Sequence, residues 1–298
     1  MRLGMAIPLL VAPGGRWPVP RWTDIRARAL AAEGVGFDLV VVEDVLSWPL
    51  EDITGGAWES VSLLGGLAEA TSTIRIGHSV MNAPYRAPGL VAKIAATLDE
   101  ISDGRYVLGI GAGNSPDADY AAFGTPADPR YSRFAESLQI IATLLRDGHA
   151  TFDGRFHQVS DAQLVLRGPR EQGPPIVVAA GGQRMKGAAA RWADEWNWWT
   201  PPNDLSGVAG HLADLDRACE DVGRDPGSIR RSLDVYFPVV DGDPTDEGIA
   251  HQLLALGELG IDEVRCYLEK QPTERDWLAA IERMAGVVDQ VHCLRANP

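Results

Sequence analysis

Residues 175–199 read PIVVAAGGQRMKGAAARWADEWNWW. An apolar strand at Ile176 to Ala179 runs into Gly181-Gly182 and then into a helix opening with Arg184 and Lys186. A second strand, Glu195 to Trp199, follows. Strand, glycine turn, helix and strand in 25 residues form the repeating unit of a parallel α/β fold, since parallel neighbours need a crossover and a helix supplies it. The turn also has the layout of a phosphate cradle. Two glycines let backbone approach a ligand, the first helical N–H groups lack intrahelical partners, and the positive helix end adds to two basic side chains. An anionic cofactor is the leading expectation for this stretch; a plain turn between strand and helix is the alternative.

The same alternation runs through the chain. Strand candidates are Leu3 to Pro8, Asp38 to Val42, Ile74 to Val80, Tyr106 to Ile110, Ile176 to Ala179, Glu195 to Trp199, Leu233 to Val239 and Glu263 to Leu268. Helix candidates lie at Trp22 to Glu33, Trp58 to Ala70, Gly89 to Ile101, Ser132 to Arg146, Met185 to Ala193, Leu205 to Val222, Thr245 to Leu259 and Thr273 to Val288. Runs such as LVVV at 39–42 are apolar on both faces, as in sheets covered by helices. Eight such units predict a (β/α)8 TIM barrel, one domain over 1–298, with its site on the loops at the strands' C-terminal ends. Two long stretches, 111–131 and 147–174, read as loops inserted after strand 4 and between helix 4 and strand 5, expected to act as lids or binding loops.

Composition limits the partners. The 298 residues carry a net charge of −14 and the pI is near 4.8, which argues against nucleic acid, and no Lys/Arg run suits an anionic membrane. Nor does any segment reach the ~18 apolar residues that span a bilayer. The apolar start, residues 3–13, is broken by Gly4, Pro8 and Pro13 and reads as a first strand rather than a signal peptide. Cys219, Cys266 and Cys293 have no metal or disulfide spacing and read as reduced thiols of a cytoplasmic protein. A small-molecule substrate is expected, and no metal, since neither H-E-x-x-H nor a strand-end H-x-H occurs.

Three strand ends carry candidate chemistry. Strand 2 ends in Glu43-Asp44, of which only one carboxylate can face the barrel mouth; Asp44 is the catalytic candidate, able to hydrogen-bond a cofactor ring or take part in proton transfer, with a solvated strand-end acid or helix cap as the alternative. Strand 3 ends in His78, placed for catalysis by a barrel, with a structural role as the alternative. Strand 4 ends in Gly109-Ile110-Gly111-Ala112-Gly113-Asn114. Asn114 stands where a dinucleotide fingerprint needs glycine, so these glycines fit a planar ring lying on the backbone better than a Rossmann turn.

The segments GFDLVVVED (36–44), TSTIRIGHSV (71–80), KIAATLDEISDGRYVLGIGAG (93–113) and PPIVVAAGGQRMKGAAARWADEW (174–196) together resemble the bacterial luciferase-like family of flavin- and F420-dependent oxidoreductases. The resemblance implies reduced FMN or coenzyme F420, with its ring at the mouth and its phosphate at strand 5. It also implies that Asp44 contacts the ring, that Ser79-Val80 forms a non-prolyl cis peptide beneath it, and that Gly111, Gly113 and Asn114 border it. Gly181, Gly182, Gln183 and Arg184 would hold the phosphate, and a homodimer is expected. Two positions depart from the family. Val45 replaces a frequent histidine and Asn114 a frequent glutamate, both tied to proton transfer, which points away from sugar-phosphate dehydrogenation. Hydride transfer or monooxygenation of a small organic substrate remains, because the cofactor carries the hard chemistry. His78 is the candidate to replace the missing proton donor. The alternatives are a non-catalytic flavin-binding relative and a nicotinamide-dependent dehydrogenase.

Overall fold

The structure is a computed structural model describing all residues except 12–13, 16, 51–52, 115–116, 126–127, 201–206, 238–245 and 297–298. Eight strands form the barrel: β1 (Arg2–Ile7), β2 (Leu39–Val42), β3 (Arg75–His78), β4 (Tyr106–Gly111), β5 (Ile176–Ala179), β6 (Glu195–Thr200), β7 (Arg230–Phe237) and β8 (Glu263–Leu268). Each pairs in parallel with the next, β8 pairs with β1, and β4 with β5, so the sheet closes and leaves no edge. The surrounding helices are α1 (Trp22–Val35), α2 (Ser60–Ala70), α3 (Pro88–Ile101), α4 (Arg130–Asp147), α5 (Gln183–Trp192), α6 (Val208–Asp221), α7 (Asp246–Glu258), α8 (Glu274–Arg283) and α9 (Ala285–Ala296). The expected (β/α)8 barrel is therefore present. The one helix expected over Thr273 to Val288 is two, parted at Met284. The ends of three expected elements, at 205–206, 238–239 and 245, lie outside the described residues.

Strand alternation divides the apolar residues into two cores. Outward positions such as Val40, Val42, Leu108, Val178, Leu233 and Val264 pack under the helices in one large cluster. The inward set Ala6, Leu39, Val41, Val107 and Val177 forms a small second cluster beneath Tyr267. The remaining inward residues of β6, β7 and β8 are polar: Glu195 and Asn197, Ser232 and Asp234, Glu263 and Arg265. Gly4 leaves space for Arg265, whose Cγ would stand 3.3 Å from a Cβ there.

The β3–β4 ladder holds the main irregularity. Gly77 pairs with Val107 and then Met81 with Ile110, so three residues, 78–80, face two, 108–109. This one-residue excess is a bulge, of the kind that re-aims side chains at barrel rims. The Ser79–Val80 peptide within it is cis. The strand β3 ends at His78 rather than at Val80.

The second expected insertion is not an open loop. His149–Asp153 and Gln158–Gln163 pair antiparallel, and the Glu136 carboxylate on α4 accepts from the amides of Arg155, Phe156 and His157 at 2.9 Å each. The hairpin is thus fastened to the side of the barrel, and none of its residues lines the mouth. The first insertion does reach the mouth, through Asn114 and Tyr131.

Candidate active site at the barrel mouth

A cavity of about 570 Å³ opens at the C-terminal ends of the strands, within the range of small-molecule sites. It brings together Asp44, Ser79, Val80, Gly111, Gly113, Asn114, Gly181 and Gly182, which are far apart in sequence. Its other walls are mainly aromatic: Trp198, Trp199, Tyr131, Tyr236 and Tyr267, with Met185. Among the described lining residues the charged side chains are Glu43, Asp44 and Asp234, and none is basic.

The glycines differ in what they do. Gly113 has φ +83°, and a Cβ there would stand 2.1 Å from the Tyr120 hydroxyl, so conformation and space both demand glycine. Gly181 lies under the Trp198 ring, 2.1 Å from where a Cβ would be. At Gly182 a Cβ would meet nothing within 4 Å. Gly182 is also the N-cap of α5 and offers no side chain to its first-turn amides. Open space above uncapped amides at a helix N-terminus suits the phosphate of FMN or F420. The basic side chains expected to strengthen this cradle are directed elsewhere. Lys186 is fully buried with its Nζ 2.9 Å from Asp214 Oδ2 on α6, and Arg184 donates to Ser132 Oγ at 3.0 Å. Gln183 likewise turns its side chain to Asp214. The backbone is what these positions offer an anion.

At the end of β2, Glu43 is in phase with the inward Leu39 and Val41, and its carboxylate accepts from the Leu9 and Leu10 amides at 3.1 and 3.2 Å. Asp44 lies at the cavity edge with its carboxylate engaged from behind. It accepts from Ser60 Oγ at 2.7 Å, the Asn82 amide at 2.8 Å and Arg86 at 2.6 and 3.1 Å.

His78 belongs to the same network and not to the mouth, which corrects the expectation that it supplies a proton there. It occupies an outward position of β3, is 1% exposed, and bonds the Tyr106 hydroxyl through Nδ1 (2.9 Å) and Ser60 Oγ through Nε2 (3.2 Å). Because Ser60 gives its one proton to Asp44, it accepts from Nε2–H, and Nδ1 accepts from Tyr106; the ring is neutral. Burial drives the His78 pKa down from 6.5 to about 4 against the pull of Asp44. The native state therefore binds this proton less readily than the unfolded chain, and stability falls as pH drops from 6.5 to 4. The loss assigned to this group is about 3 kcal/mol. In His78→Gln the difference in unfolding free energy between pH 7 and pH 4, measured by denaturant titration, is expected to shrink by that amount.

Beneath the cavity the inward polar residues form a buried ion cluster. Arg265 donates to Glu195 at 2.8 Å, contacts Glu263 at 3.4 Å and lies 3.9 Å from Asp234. Arg75 pairs with the other Glu263 oxygen, and Arg230 with Glu195 at 3.2 Å. Burial and the neighbouring Glu263 raise the Glu195 pKa. Burial likewise raises that of Asp234, opposed by Arg265, Ser79 and Asn197. Asp234 accepts from Ser79 Oγ at 2.7 Å and from Asn197 Nδ2 at 3.0 Å. Tyr267 donates to the Ser79 carbonyl at 3.3 Å. Ser79, in the bulge, is therefore held from β7 and β8. The sequence reading missed Asp234, Asn197 and Tyr267, although β7, RRSLDVYF, shows the signal: Ser232, Asp234 and Tyr236 alternate with apolar Leu233, Val235 and Phe237.

Residues 1–282 match the model of the luciferase-like monooxygenase family, and the chain belongs to that family. An F420-dependent glucose-6-phosphate dehydrogenase of Beutenbergia cavernae is 34% identical over 57% of the chain and 51% of that protein. A 4-hydroxyprotoasukamycin monooxygenase of Streptomyces nodosus subsp. asukaensis is 32% identical over 62% of the chain and 51% of its own length. The chain thus spans about half the length of these relatives. Among solved structures, an F420-dependent secondary alcohol dehydrogenase in complex with an F420–acetone adduct superposes with a TM-score of 0.80, covering 97% of this chain and 98% of that one, at 18% identity. That likeness is one of fold. No helix among the described residues is long and apolar enough to cross a membrane. Cys219, Cys266 and Cys293 are free thiols, the first two buried.

Proposed function

We propose that the protein is an oxidoreductase that binds coenzyme F420, or reduced FMN in its place, at the barrel mouth and acts on a small organic substrate. The observation that carries this reading is one cavity bounded by the strand-end glycines Gly111 and Gly113 on one side and the uncapped N-terminus of α5 on the other. The α5 amides following Gly182 would hold the phosphate. Ser79, Val80, Gly111 and Asn114 would support the ring, with Asp44 at its edge. Bound there, the cofactor supplies hydride transfer or, as a reduced flavin, oxygen activation. The chain's own part is to bind, orient and exclude water, which the Trp198, Trp199, Tyr131 and Met185 walls serve. The F420-dependent relatives favour the deazaflavin, and the same reading includes a homodimer in the cytoplasm.

Parallel fluorescence titrations with F420 and FMN, each oxidised and reduced, test the reading. F420 is expected to bind more tightly, and binding of neither would refute it. Gly182→Ala sharpens the test, since its methyl enters open space without disturbing the fold. That variant is expected to melt like the parent and bind either phosphorylated cofactor about 10-fold more weakly, a loss of about 1.4 kcal/mol.

A further inference from the structure

We propose that Asp234 is the acid–base residue of this site, exchanging a proton with the oxygen of an uncharged alcohol or carbonyl substrate; the inference rests on the oxidoreductase reading above. The Asp44 carboxylate is committed to Arg86, Ser60 and the Asn82 amide. Glu43 accepts the Leu9 and Leu10 amides through Oε2 alone, so Glu43 and Asp234 are the lining carboxylates that keep acceptor capacity, and Asp234 is the one bonded to Ser79, where the ring would lie. Burial raises the Tyr236 and Tyr267 phenols above their ordinary value, so they stay protonated. Val45 and Asn114 both line the cavity and carry no proton to exchange. Asp234 also lines it, and each of its carboxylate oxygens holds one protein donor, from Ser79 and Asn197, leaving a lone pair on each free. The groups facing it are Ser79 from the bulge after β3, Asn197 from β6, and Arg265, Tyr267 and the more distant Glu263 from β8. Arg265 is already engaged by Glu195, and desolvation outweighs its charge, so the carboxyl is poised toward its protonated form.

In the oxidative direction a bound oxidised deazaflavin would supply the two-electron acceptor for the substrate's C–H hydride. The substrate O–H proton passes to the Asp234 carboxylate, and C=O forms; reduction is the reverse. The substrate carries no negative charge, because the described lining holds three carboxylates and no Lys, Arg or His to receive an anion.

The test pairs the F420-loaded enzyme with propan-2-ol, cyclohexanol, acetone and cyclohexanone, and with glucose 6-phosphate as an anionic control. Wild type is expected to turn over neutral compounds only. Asp234→Asn should lose about 100-fold or more in kcat and one limb of the pH profile, with F420 affinity within about twofold of wild type. Asp234→Glu should restore part of that limb. Wild-type turnover and pH profile in Asp234→Asn, or turnover of the sugar phosphate alone, would overturn the proposal. If wild type is inert to the whole panel, the functional reading fails separately. Asp234 is then judged by carboxyl NMR of 13C-aspartate-labelled protein without cofactor. A titration above the ordinary Asp range that responds to acetone supports the role, and one that is ordinary or blind to acetone refutes it.

Discussion

Gly109→Ala is expected to leave no folded, cofactor-binding protein at physiological temperature. The Cβ would lie 1.9 Å from the His78 carbonyl oxygen and 3.4 Å from Val80 Cγ1. The first of these contacts is with backbone, so no side-chain rotation relieves it. Gly109 stands opposite the bulge of residues 78–80, where the extra residue of β3 pushes its carbonyl toward β4. To admit a methyl, β3 would have to withdraw from β4 and open the closed barrel beside the Ser79–Val80 peptide. Overpacking usually costs about 1–3 kcal/mol. With backbone on both sides the cost here belongs above that range, against a total stability of order 5–15 kcal/mol. Circular dichroism and soluble yield read the outcome, with Gly182→Ala as the matched control. If both variants melt together, the bulge is more pliable than its register indicates.

Gly109 also illustrates how far the sequence was legible. Strands such as LVVV and IVVA declared themselves as apolar runs, and closure into a barrel followed from the number of β-α units. The role of Gly109 did not, because it depends on a carbonyl contributed by another strand. Parity explains the misplacement of His78: with Gly77 and Ser79 facing inward, His78 had to face the helices, and a strand expected to reach Val80 hid where that alternation breaks down. Applied to β2, the same parity turns Glu43 inward and leaves Asp44 to the Arg86 network. Lys186 sits in the first turn of α5, as a phosphate ligand would. Its partner Asp214 is 28 residues away on α6, and no local pattern announces a pairing at that distance. The hairpin at 149–163 was hidden for a different reason: its strands are short and polar, and Glu136 on α4 caps its turn.

Arg265→Ala is expected to be nearly as damaging as Gly109→Ala, with a distinctive dependence on pH. Arg265 is wholly buried and is the cation shared by Glu195, Glu263 and Asp234. Removing one partner of a buried ion cluster strands the others, which costs about 3–5 kcal/mol. Glu263 keeps Arg75, and Glu195 keeps the half-exposed Arg230, so the stranded charge falls on Asp234 and partly on Glu195. Both carboxyls already have pKa values raised by burial, and loss of the guanidinium raises them further. A carboxyl whose folded pKa exceeds its unfolded value stabilises the fold below the unfolded pKa, and that contribution is lost as pH rises through the folded one. Arg265→Ala should therefore be least stable at alkaline pH and recover part of the deficit as the solution is acidified toward pH 5. His78 pulls the other way below pH 6.5, so the comparison has to be made against wild type at each pH, by thermal melts of the cofactor-free protein. A deficit independent of pH would mean that Arg265 contributes packing in the barrel interior rather than charge. A deficit that shrinks on acidification in Arg265→Ala, and is smaller again in Arg265→Ala/Asp234→Asn, would place the uncompensated charge on the carboxylate that borders the cavity.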